Sequence, residues 1–229
     1  MWLNEQQVTD AAIRGYRKAL VRACPRYVVI DQLFDPVRLA AVCRVLQQAQ
    51  QWQTQKHSYA ALYVKEATWQ QTPQAQRFVQ RDVWQRADAL SAQSAAALEF
   101  LAFLRGPEFM ALLSRIFSVR LTDIHVADPA INTNYFRLGA ADFVNQHADD
   151  SPGREVCMLL YLNEHWQEGQ GGELVFSGKD EQPVQITPLY NRCVLFDPAS
   201  AGSEHWVNPL TDQASGQYRY NLTSWYWSE

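Results

Sequence analysis

Nine short strand-like segments separated by turns fill the chain from residue 119 to residue 227, and this pattern restricts the possible folds more than any other feature. Turn-forming runs such as Asp150-Ser151-Pro152-Gly153 separate the segments. Many short strands with frequent turns predict a β-sandwich or a β-barrel. The expected strands cover residues 119–126, 132–138, 143–149, 154–162, 173–177, 183–187, 192–197, 204–207 and 217–227.

The first half of the chain has a different pattern, because its apolar residues recur at helical spacing. The pair Asp35-Pro36 is typical of a helix N-terminus. We therefore predict an α+β protein in which a helical N-terminal region, residues 1–118, packs on a β core, residues 119–229, within one structural domain. The helical stripes are Leu39, Val42, Cys43, Leu46 and Ala49, then Ala97, Phe100, Leu101 and Leu104, and finally Phe109, Leu112, Leu113 and Ile116.

The sequence pattern assigns no role to several aromatic and histidine residues in its less regular segments. The aromatic residues either pack the helices on the core or form a lid over a substrate, and packing is the more common role. The three histidines in this group are expected to be structural or surface residues and not ligands. These residues are Trp52, Tyr59, Tyr63, Trp69 and Trp84, with His57, His125 and His165.

Two histidines and an aspartate have the spacing of a metal site. His147 and Asp149 lie two residues apart in an expected strand, so their side chains point to the same face. His205 follows in a later strand-like segment. Two imidazoles and one carboxylate are the ligands of non-haem Fe(II) oxygenases, and they leave three of six coordination positions open. The sequence therefore predicts an iron site that can chelate a 2-oxo acid and admit O2.

Arg219 follows the second histidine in another strand-like run and predicts an anchor for a dicarboxylate. By alternation, Arg219, Asn221, Thr223 and Trp225 share one strand face. A carboxylate in a dry pocket needs a partner, and the planar guanidinium can bind both carboxylate oxygens. A 2-oxo acid held by iron at one end could thus be held by Arg219 at the other.

Each of these residues alone has an ordinary explanation. An aspartate before Ser-Pro-Gly is usually a turn residue, and a strand arginine is usually exposed or paired with an acid. Their order on successive strand-like segments favours the metal site. Two interpretations outside the oxygenase class stay open, namely a jelly-roll binding module with a vestigial metal site and a site that uses another metal for non-oxidative chemistry.

The composition agrees with a cytoplasmic enzyme. The net charge of −4 and a pI near 5.7 provide no basic surface for nucleic acid. The four cysteines form neither a CxxC pair nor a zinc-like cluster, which predicts reduced thiols. The N-terminus is too polar for a signal peptide, and the sequence has no apolar run of membrane-spanning length, so we expect no membrane association.

A series of short motifs resembles the Fe(II)/2-oxoglutarate-dependent oxygenases of the prolyl-4-hydroxylase-like type. The resemblance runs from about Arg26 to the C-terminus and is densest between Asp128 and Trp227. The most specific part is the run that follows His-x-Asp. The motifs are Tyr27-Val28-Val29-Ile30-Asp31, Asp128-Pro129, Phe136-Arg137-Leu138-Gly139, His147-Ala148-Asp149, Leu160-Tyr161-Leu162-Asn163, Trp166, Gly171-Gly172-Glu173-Leu174, Asn191-Arg192-Cys193-Val194-Leu195-Phe196, His205 and Arg219.

This resemblance implies a double-stranded β-helix, or jelly-roll, core with N-terminal supporting helices. It implies Fe(II) ligation by His147, Asp149 and His205, binding of the distal carboxylate of 2-oxoglutarate by Arg219, and hydroxyl partners from Tyr161 and Thr223. The cosubstrates are then 2-oxoglutarate and O2, with ascorbate as a reductant. One departure is Phe136, where family members often have a tyrosine that orients the cosubstrate, and Asn134 on the same strand face is a candidate replacement.

The implied reaction is hydroxylation of an unactivated C–H bond, coupled to conversion of 2-oxoglutarate into succinate and CO2. The carboxylate Asp149 occupies the position that related halogenases leave open for halide, so hydroxylation is favoured over halogenation. The expected substrate is a prolyl or other residue of a peptide or protein. A free amino acid or another small metabolite is the alternative, because the ligand spacing does not distinguish these substrates.

Overall fold

The computed structural model describes residues 1–86, 94–124, 126 and 128–228. Its β-strands form one curled sheet in which every pairing between strands is antiparallel. The helices are α1 (Asp10–Arg22), α2 (Pro36–Gln48), α3 (Glu66–Gln71), α4 (Ala95–Leu104) and α5 (Pro107–Phe117). The strands are β1 (Tyr27–Asp31), β2 (Trp52–Ser58), β3 (Arg77–Trp84), β4 (Thr133–Leu138), β5 (Phe143–His147), β6 (Arg154–Tyr161), β7 (Leu174–Phe176), β8 (Val184–Ile186), β9 (Arg192–Phe196), β10 (His205–Val207) and β11 (Arg219–Trp227).

The strand order describes two sheet halves joined through β3. One half has the order β1-β9-β6-β11-β4, and the other has β5-β10-β7-β8. β3 pairs with both β4 and β5, and β2 covers its other edge. This is the double-stranded β-helix expected from the sequence, and that prediction of the fold class is confirmed.

The long strand β6 shows how the chain builds two core layers on either side of one sheet half. Alternate residues of its apolar run face opposite sides, because successive strand side chains alternate. Val156, Met158 and Leu160 pack with the helices in the main core. Cys157, Leu159 and Tyr161 face inward, between the two halves. A strand covered on both faces can be continuously apolar, as this one is.

The helices brace the outer face of the first sheet half. The three apolar stripes predicted from the sequence lie in α2, α4 and α5, except that Ala49 follows the last residue of α2, and most of their residues are buried. Asp35 caps α2 as expected, since its carboxylate accepts a hydrogen bond from the backbone N–H of Arg38 at 2.8 Å. The helices therefore stiffen the strands that carry the interior side chains.

Three strands of the sheet come from the half of the chain that the sequence pattern described as helical, namely β1, β2 and β3. Residues 1–118 thus supply sheet as well as helix, and the division at residue 118 stays a prediction. The strand expected at 119–126 is not formed, because among the described residues of that range only Leu121 makes a β-bridge, to Ser228. His125 lies outside the described residues. No described helix has both the length and the apolar character needed to span a bilayer.

Candidate active site

The two predicted histidines and the aspartate meet at the end of β5. β10 pairs with β5 so that His205 lies directly opposite His147, and the two imidazole centroids are 4.3 Å apart. The Nε2 atoms of His147 and His205 lie 3.9 and 3.8 Å from the carboxylate oxygens of Asp149. One potential ligand atom from each residue falls within 4.8 Å of the others. Such a cluster has the dimensions of a metal site.

Both histidines are held in the tautomer that a metal requires. The Nδ1 atom of His147 lies 2.9 Å from the carbonyl oxygen of Asn145, and that of His205 lies 2.9 Å from the carbonyl oxygen of Ser203. A carbonyl oxygen only accepts, so each Nδ1 carries the proton and each Nε2 presents its lone pair to the cluster. Burial lowers the pKa of His205 to about 4, which keeps its imidazole neutral near pH 7.

Asp149 is ionised and oriented by its neighbours. Burial alone would raise the pKa of this carboxyl, but His205, His147 and a hydrogen bond from Trp225 outweigh burial and lower it. The indole N–H of Trp225 donates to Oδ2 at 2.8 Å. Arg154 donates to the backbone carbonyl of Asp149. The carboxylate is therefore held in place before any metal binds.

Replacing Trp225 by phenylalanine should weaken metal binding while leaving the fold intact. The change keeps an aromatic ring but removes the donor to Asp149, and loss of such a supporting hydrogen bond typically costs 10- to 100-fold in metal affinity. Mn(II) titration followed by calorimetry measures the effect. Trp227→Phe is the matched control, since Trp227 lies two residues on and stacks on Arg154. Equal affinities in the two variants would contradict the role given to Trp225.

The interior face of β11 has the composition that alternation predicts. Arg219, Asn221, Thr223 and Trp225 all line one cavity together with the three clustered residues. Arg219 Nη1 donates to Asn221 Oδ1 at 2.9 Å, and the Asn221 amide donates to Thr223 Oγ1 at 3.0 Å. Thr223 is therefore a hydrogen-bond partner within the same row. Trp225, further along the same face, donates to Asp149 of the cluster.

Arg219 is buried and has spare hydrogen-bonding capacity. Its side chain is 1% exposed, and its Nε and Nη2 atoms have no hydrogen-bond partner among the described residues. The hydroxyl of Tyr161 is also buried without a partner there, and the guanidinium carbon lies 4.9 Å from the centre of the Tyr161 ring. Buried donors of this kind are costly unless satisfied, so the site fits a carboxylate that accepts from them.

Gly172 supplies the space that Arg219 needs. It has a φ of +74°, and a Cβ at this position would lie 2.7 Å from Arg219 Cδ. Gly216 has a similar φ of +73°, yet a Cβ there would have no atom within 4 Å. The Gly-Gly pair of the sequence motif therefore has a steric reason at its second position.

The variant Gly172→Ala is expected to weaken 2-oxoglutarate binding by about tenfold or more because the new methyl displaces Arg219. Both Gly172→Ala and Gly216→Ala should also lose about 1–2 kcal/mol of stability from the left-handed backbone. Calorimetric titration of the Mn(II)-loaded proteins separates the two effects. If both variants bind 2-oxoglutarate equally well, the packing of Gly172 on Arg219 has no part in binding.

Asn134 lies on the cavity wall as predicted, but its amide is engaged elsewhere. Its Oδ1 accepts from Arg86 at 2.9 Å, and its Nδ2 donates to the carbonyl of Ile131. Phe136 also lines the cavity, whereas Tyr135 faces the helices and donates to the carbonyl of Ala97 at 2.9 Å. Replacement of the missing tyrosine hydroxyl by Asn134 stays a prediction that these contacts do not favour.

The sequence pattern did not identify the wall that β2 and β3 contribute. His57 and Arg81 line the cavity, along with Gln55 and Val79 opposite them in the register. His57 is 6% exposed, so it is neither a surface residue nor distant from the site. Its Nδ1 accepts from the Tyr63 N–H at 3.0 Å, which leaves the proton on Nε2. Burial lowers the pKa of His57 to about 4.

The aromatic residues of the first half lie in two places, at the mouth of the cavity and in packed positions against other aromatic residues. Tyr59 and Tyr63 line the mouth of the cavity and are 58% and 67% exposed. Trp52 packs on Tyr220, and the buried Trp84 packs on Tyr135. Trp69 is also buried. Packing is thus the role of the tryptophans, and the tyrosines lie where a substrate would enter.

Comparison with known proteins shows what the β-rich part of this chain is similar to. Residues 133–227 match the family described as the 2OG-Fe(II) oxygenase superfamily. The matched range contains the three clustered residues, Arg219 and Tyr161. This match confirms the resemblance to Fe(II)/2-oxoglutarate-dependent oxygenases that the sequence motifs indicated.

Individual relatives are prolyl hydroxylases. Prolyl 3-hydroxylase OGFOD1 of Mus musculus is 27% identical over 150 residues, which cover 63% of this chain and 26% of that protein. The chain therefore spans about a quarter of the length of this curated relative.

Two solved structures share the fold. A prolyl-4-hydroxylase of Pseudomonas putida has a TM-score of 0.63 and 17% identity, covering 95% of this chain and 99% of that chain. A prolyl hydroxylase of Trichoplax adhaerens, in complex with a peptide fragment of the hypoxia inducible factor, has a TM-score of 0.61 and 16% identity, covering 98% and 96%. At these identities the likeness concerns the fold alone.

Proposed function

We propose that this chain hydroxylates an unactivated C–H bond of a prolyl residue in a peptide or protein. The observation that carries the proposal is the meeting of His147, Asp149 and His205 with Arg219 in one cavity of about 690 Å³. A cavity of this size is within the range of small-molecule sites. It has room for a cosubstrate and for a side chain that enters from outside.

Each residue has a role that follows from its contacts. His147, Asp149 and His205 would hold Fe(II), and the backbone carbonyls and Trp225 behind them fix their orientation. Arg219 would bind the distal carboxylate of 2-oxoglutarate, with the hydroxyl of Tyr161 as a second donor and Thr223 supporting Asn221 in the same row. The iron and its cosubstrates supply the oxidation when bound, and the chain supplies position and a dry cavity.

A peptide substrate is supported by the surface around the cavity. Exposed apolar side chains surround the mouth, and they include Tyr59, Leu62, Tyr63 and Ile131, each between 58% and 67% exposed. Grouped apolar side chains at a pocket mouth are typical of a surface that a partner covers. The mouse relative and the two solved structures are all named as prolyl hydroxylases, which is why a prolyl residue is proposed.

Mass spectrometry of modified peptides tests the reaction and the substrate together. Purified protein with Fe(II), 2-oxoglutarate and ascorbate is incubated with a peptide digest and, in parallel, with free L-proline. We expect +16 Da products on prolyl residues of peptides, absent without 2-oxoglutarate and absent with the Asp149→Ala protein. A +16 Da product on free proline alone would contradict the peptide proposal, and succinate formation with no prolyl product would contradict the prolyl proposal.

A cytoplasmic location belongs to the same proposal. All four cysteines are free thiols in the structure, with Cys43, Cys157 and Cys193 buried and Cys24 exposed. Free thiols agree with a reducing compartment. Fractionation of cells expressing the protein tests this, and recovery in a secreted fraction would contradict it.

A further inference from the structure

The β2–β3 wall carries a positive charge that the proposed reaction does not use. Arg81 projects from β3 into the cavity, and its guanidinium carbon lies 3.5 Å from the centre of the Phe136 ring. This stacking holds the guanidinium flat against one wall. The Nε atom is buried and has no hydrogen-bond partner among the described residues.

The other charged side chains of β3 have hydrogen-bond or ion-pair partners and are not part of the cavity lining. Arg77 donates to the carbonyls of Trp69 and Thr72 at 2.7 and 2.9 Å. Asp82 pairs with Arg137 at 2.9 Å. Arg81 differs from them, because the structure places no carboxylate of a described residue within ion-pair distance of it. Arg81 is partly buried, and a cation withdrawn from water without an ion-pair partner is costly. Burial lowers the pKa of Arg81 to about 10 although the charge of Asp149 opposes this shift, and the guanidinium stays protonated at neutral pH.

The charge balance of the cavity points to a missing anion. Its described lining contains three arginines, Arg81, Arg154 and Arg219, and one carboxylate, Asp149. Arg154 already contacts Asp149. It donates to the backbone carbonyl of Asp149, and its Nη1 lies 3.8 Å from the Asp149 carboxylate. If Fe(II) and the 2-oxoglutarate dianion both bind, their charges cancel, and the lining keeps its excess of two positive charges. Arg219 is assigned to the distal carboxylate of that same dianion, which leaves Arg81 as the arginine of the described lining to which no carboxylate is assigned.

We infer that Arg81 is a second carboxylate-binding arginine of this cavity, separate from Arg219. Its planar fork, fixed on Phe136, is suited to bidentate binding of a carboxylate. The Nε2–H of His57 on the neighbouring strand is a further donor on the same wall. The inference rests on the proposed function, since it concerns ligands of the same cavity. Two carboxylates could be the one bound, the 2-oxo acid end of the cosubstrate or the C-terminal carboxylate of a peptide substrate that ends in proline.

Calorimetric titrations of the Mn(II)-loaded wild type, Arg81→Gln and Arg81→Lys distinguish these sources. The ligands are 2-oxoglutarate and 2-oxopentanoate, which lacks the distal carboxylate. If Arg81 binds the 2-oxo acid end, Arg81→Gln weakens both ligands by on the order of tenfold or more. Arg81→Lys should recover only part, because an ammonium does not reproduce the fork.

The substrate source is tested with enzyme filled with N-oxalylglycine, an analogue of 2-oxoglutarate. N-acetyl-L-proline and its uncharged amide are titrated in turn. If Arg81 binds a substrate carboxylate, the wild type prefers the acid, and Arg81→Gln removes that preference while leaving both 2-oxo acids unaffected. Arg77→Gln, on the same strand but outside the cavity, is the matched control and should change none of these affinities.

The inference is overturned if Arg81→Gln folds normally and alters neither the 2-oxo acid affinities nor the preference between acid and amide. The inference is overturned in the same way if the wild type binds the acid and the amide equally well and Arg81→Gln leaves the 2-oxo acid affinities unchanged. A wild type that binds no 2-oxoglutarate at all would instead contradict the proposed function. The two failures are therefore separate.

Discussion

Asp149→Ala is expected to abolish stoichiometric Mn(II) binding, with a loss of affinity greater than about 100-fold. The carboxylate is the one anionic member of the described cluster, and it faces both imidazoles at under 4 Å. Removing it leaves two neutral nitrogen ligands, and even loss of a group that merely supports a ligand costs 10- to 100-fold. Isothermal titration with Mn(II) in the absence of O2 measures the change.

Asp150→Ala provides the matched control, because Asp150 is the next residue and is exposed. Its replacement should leave Mn(II) affinity within about twofold of wild type, given how little exposed charges contribute. Stoichiometric binding that survives the combined loss of His147 and Asp149 would show that the metal binds elsewhere.

Arg219→Ala should weaken 2-oxoglutarate binding by roughly 2–5 kcal/mol while leaving Mn(II) binding nearly unchanged. This range is the usual cost of removing one partner from a buried, hydrogen-bonded charge pair. Arg219 is 1% exposed and keeps two donor atoms free in the described structure. Arg219→Lys should recover only part of the affinity, since lysine presents a point charge instead of a fork.

Arg137→Ala separates this effect from a general loss of sheet stability. Arg137 lies in β4 beside Tyr220, the residue after Arg219. Its side chain is on the outer face, where it pairs with Asp82. The control variant should therefore keep its cosubstrate affinity, although its melting temperature can fall. Unchanged 2-oxoglutarate affinity in Arg219→Ala would refute the anchor.

The strands of the second half were predictable because their side chains alternate between an apolar face that packs on the helices and a chemically different face that lines the cavity. In β11 the alternation is between Leu222 and Tyr226, which face the helices, and Arg219, Asn221 and Thr223, which face the cavity. The strand expected at 143–149 ends at His147, so Asp149 lies two residues beyond it, yet the two side chains still meet in the cluster. A period of two in β11 was therefore enough to predict that Arg219 lies in the same cavity as the two histidines and the aspartate.

The strands β2 and β3 were missed for a physical reason. One face of each is exposed or partly exposed, and the other carries Gln55, His57 and Arg81 toward a polar cavity. β2 is mostly polar, and in β3 the buried Val79 and Val83 share a face with Arg81, so period-two counting finds no consistently apolar face in either strand. The signal available in the sequence was weak, namely the aromatic and β-branched residues Phe78, Val79, Val83 and Trp84 in one short run.

The contacts of Arg81 and Trp225 depend on non-local pairing, which no single segment encodes. Arg81 meets Phe136 because β3 pairs with β4. Trp225 reaches Asp149 across 76 positions of sequence. Spacing predicted the two histidines and the aspartate as metal ligands, but the side chains that contact them come from strands whose neighbours are set by the whole sheet.

The central claim is that metal and 2-oxoglutarate bind together in the cavity, and thermal unfolding tests it most directly. The melting temperature is measured with and without 2-oxoglutarate, in the presence of Mn(II) and in its absence. A ligand that binds only the folded state stabilises it by about 2.7 kcal/mol at a hundredfold excess over its dissociation constant. We predict a clear upward shift with Mn(II) and a much smaller one without it, because the metal provides two of the cosubstrate's contacts. Equal shifts with and without Mn(II) would contradict the account.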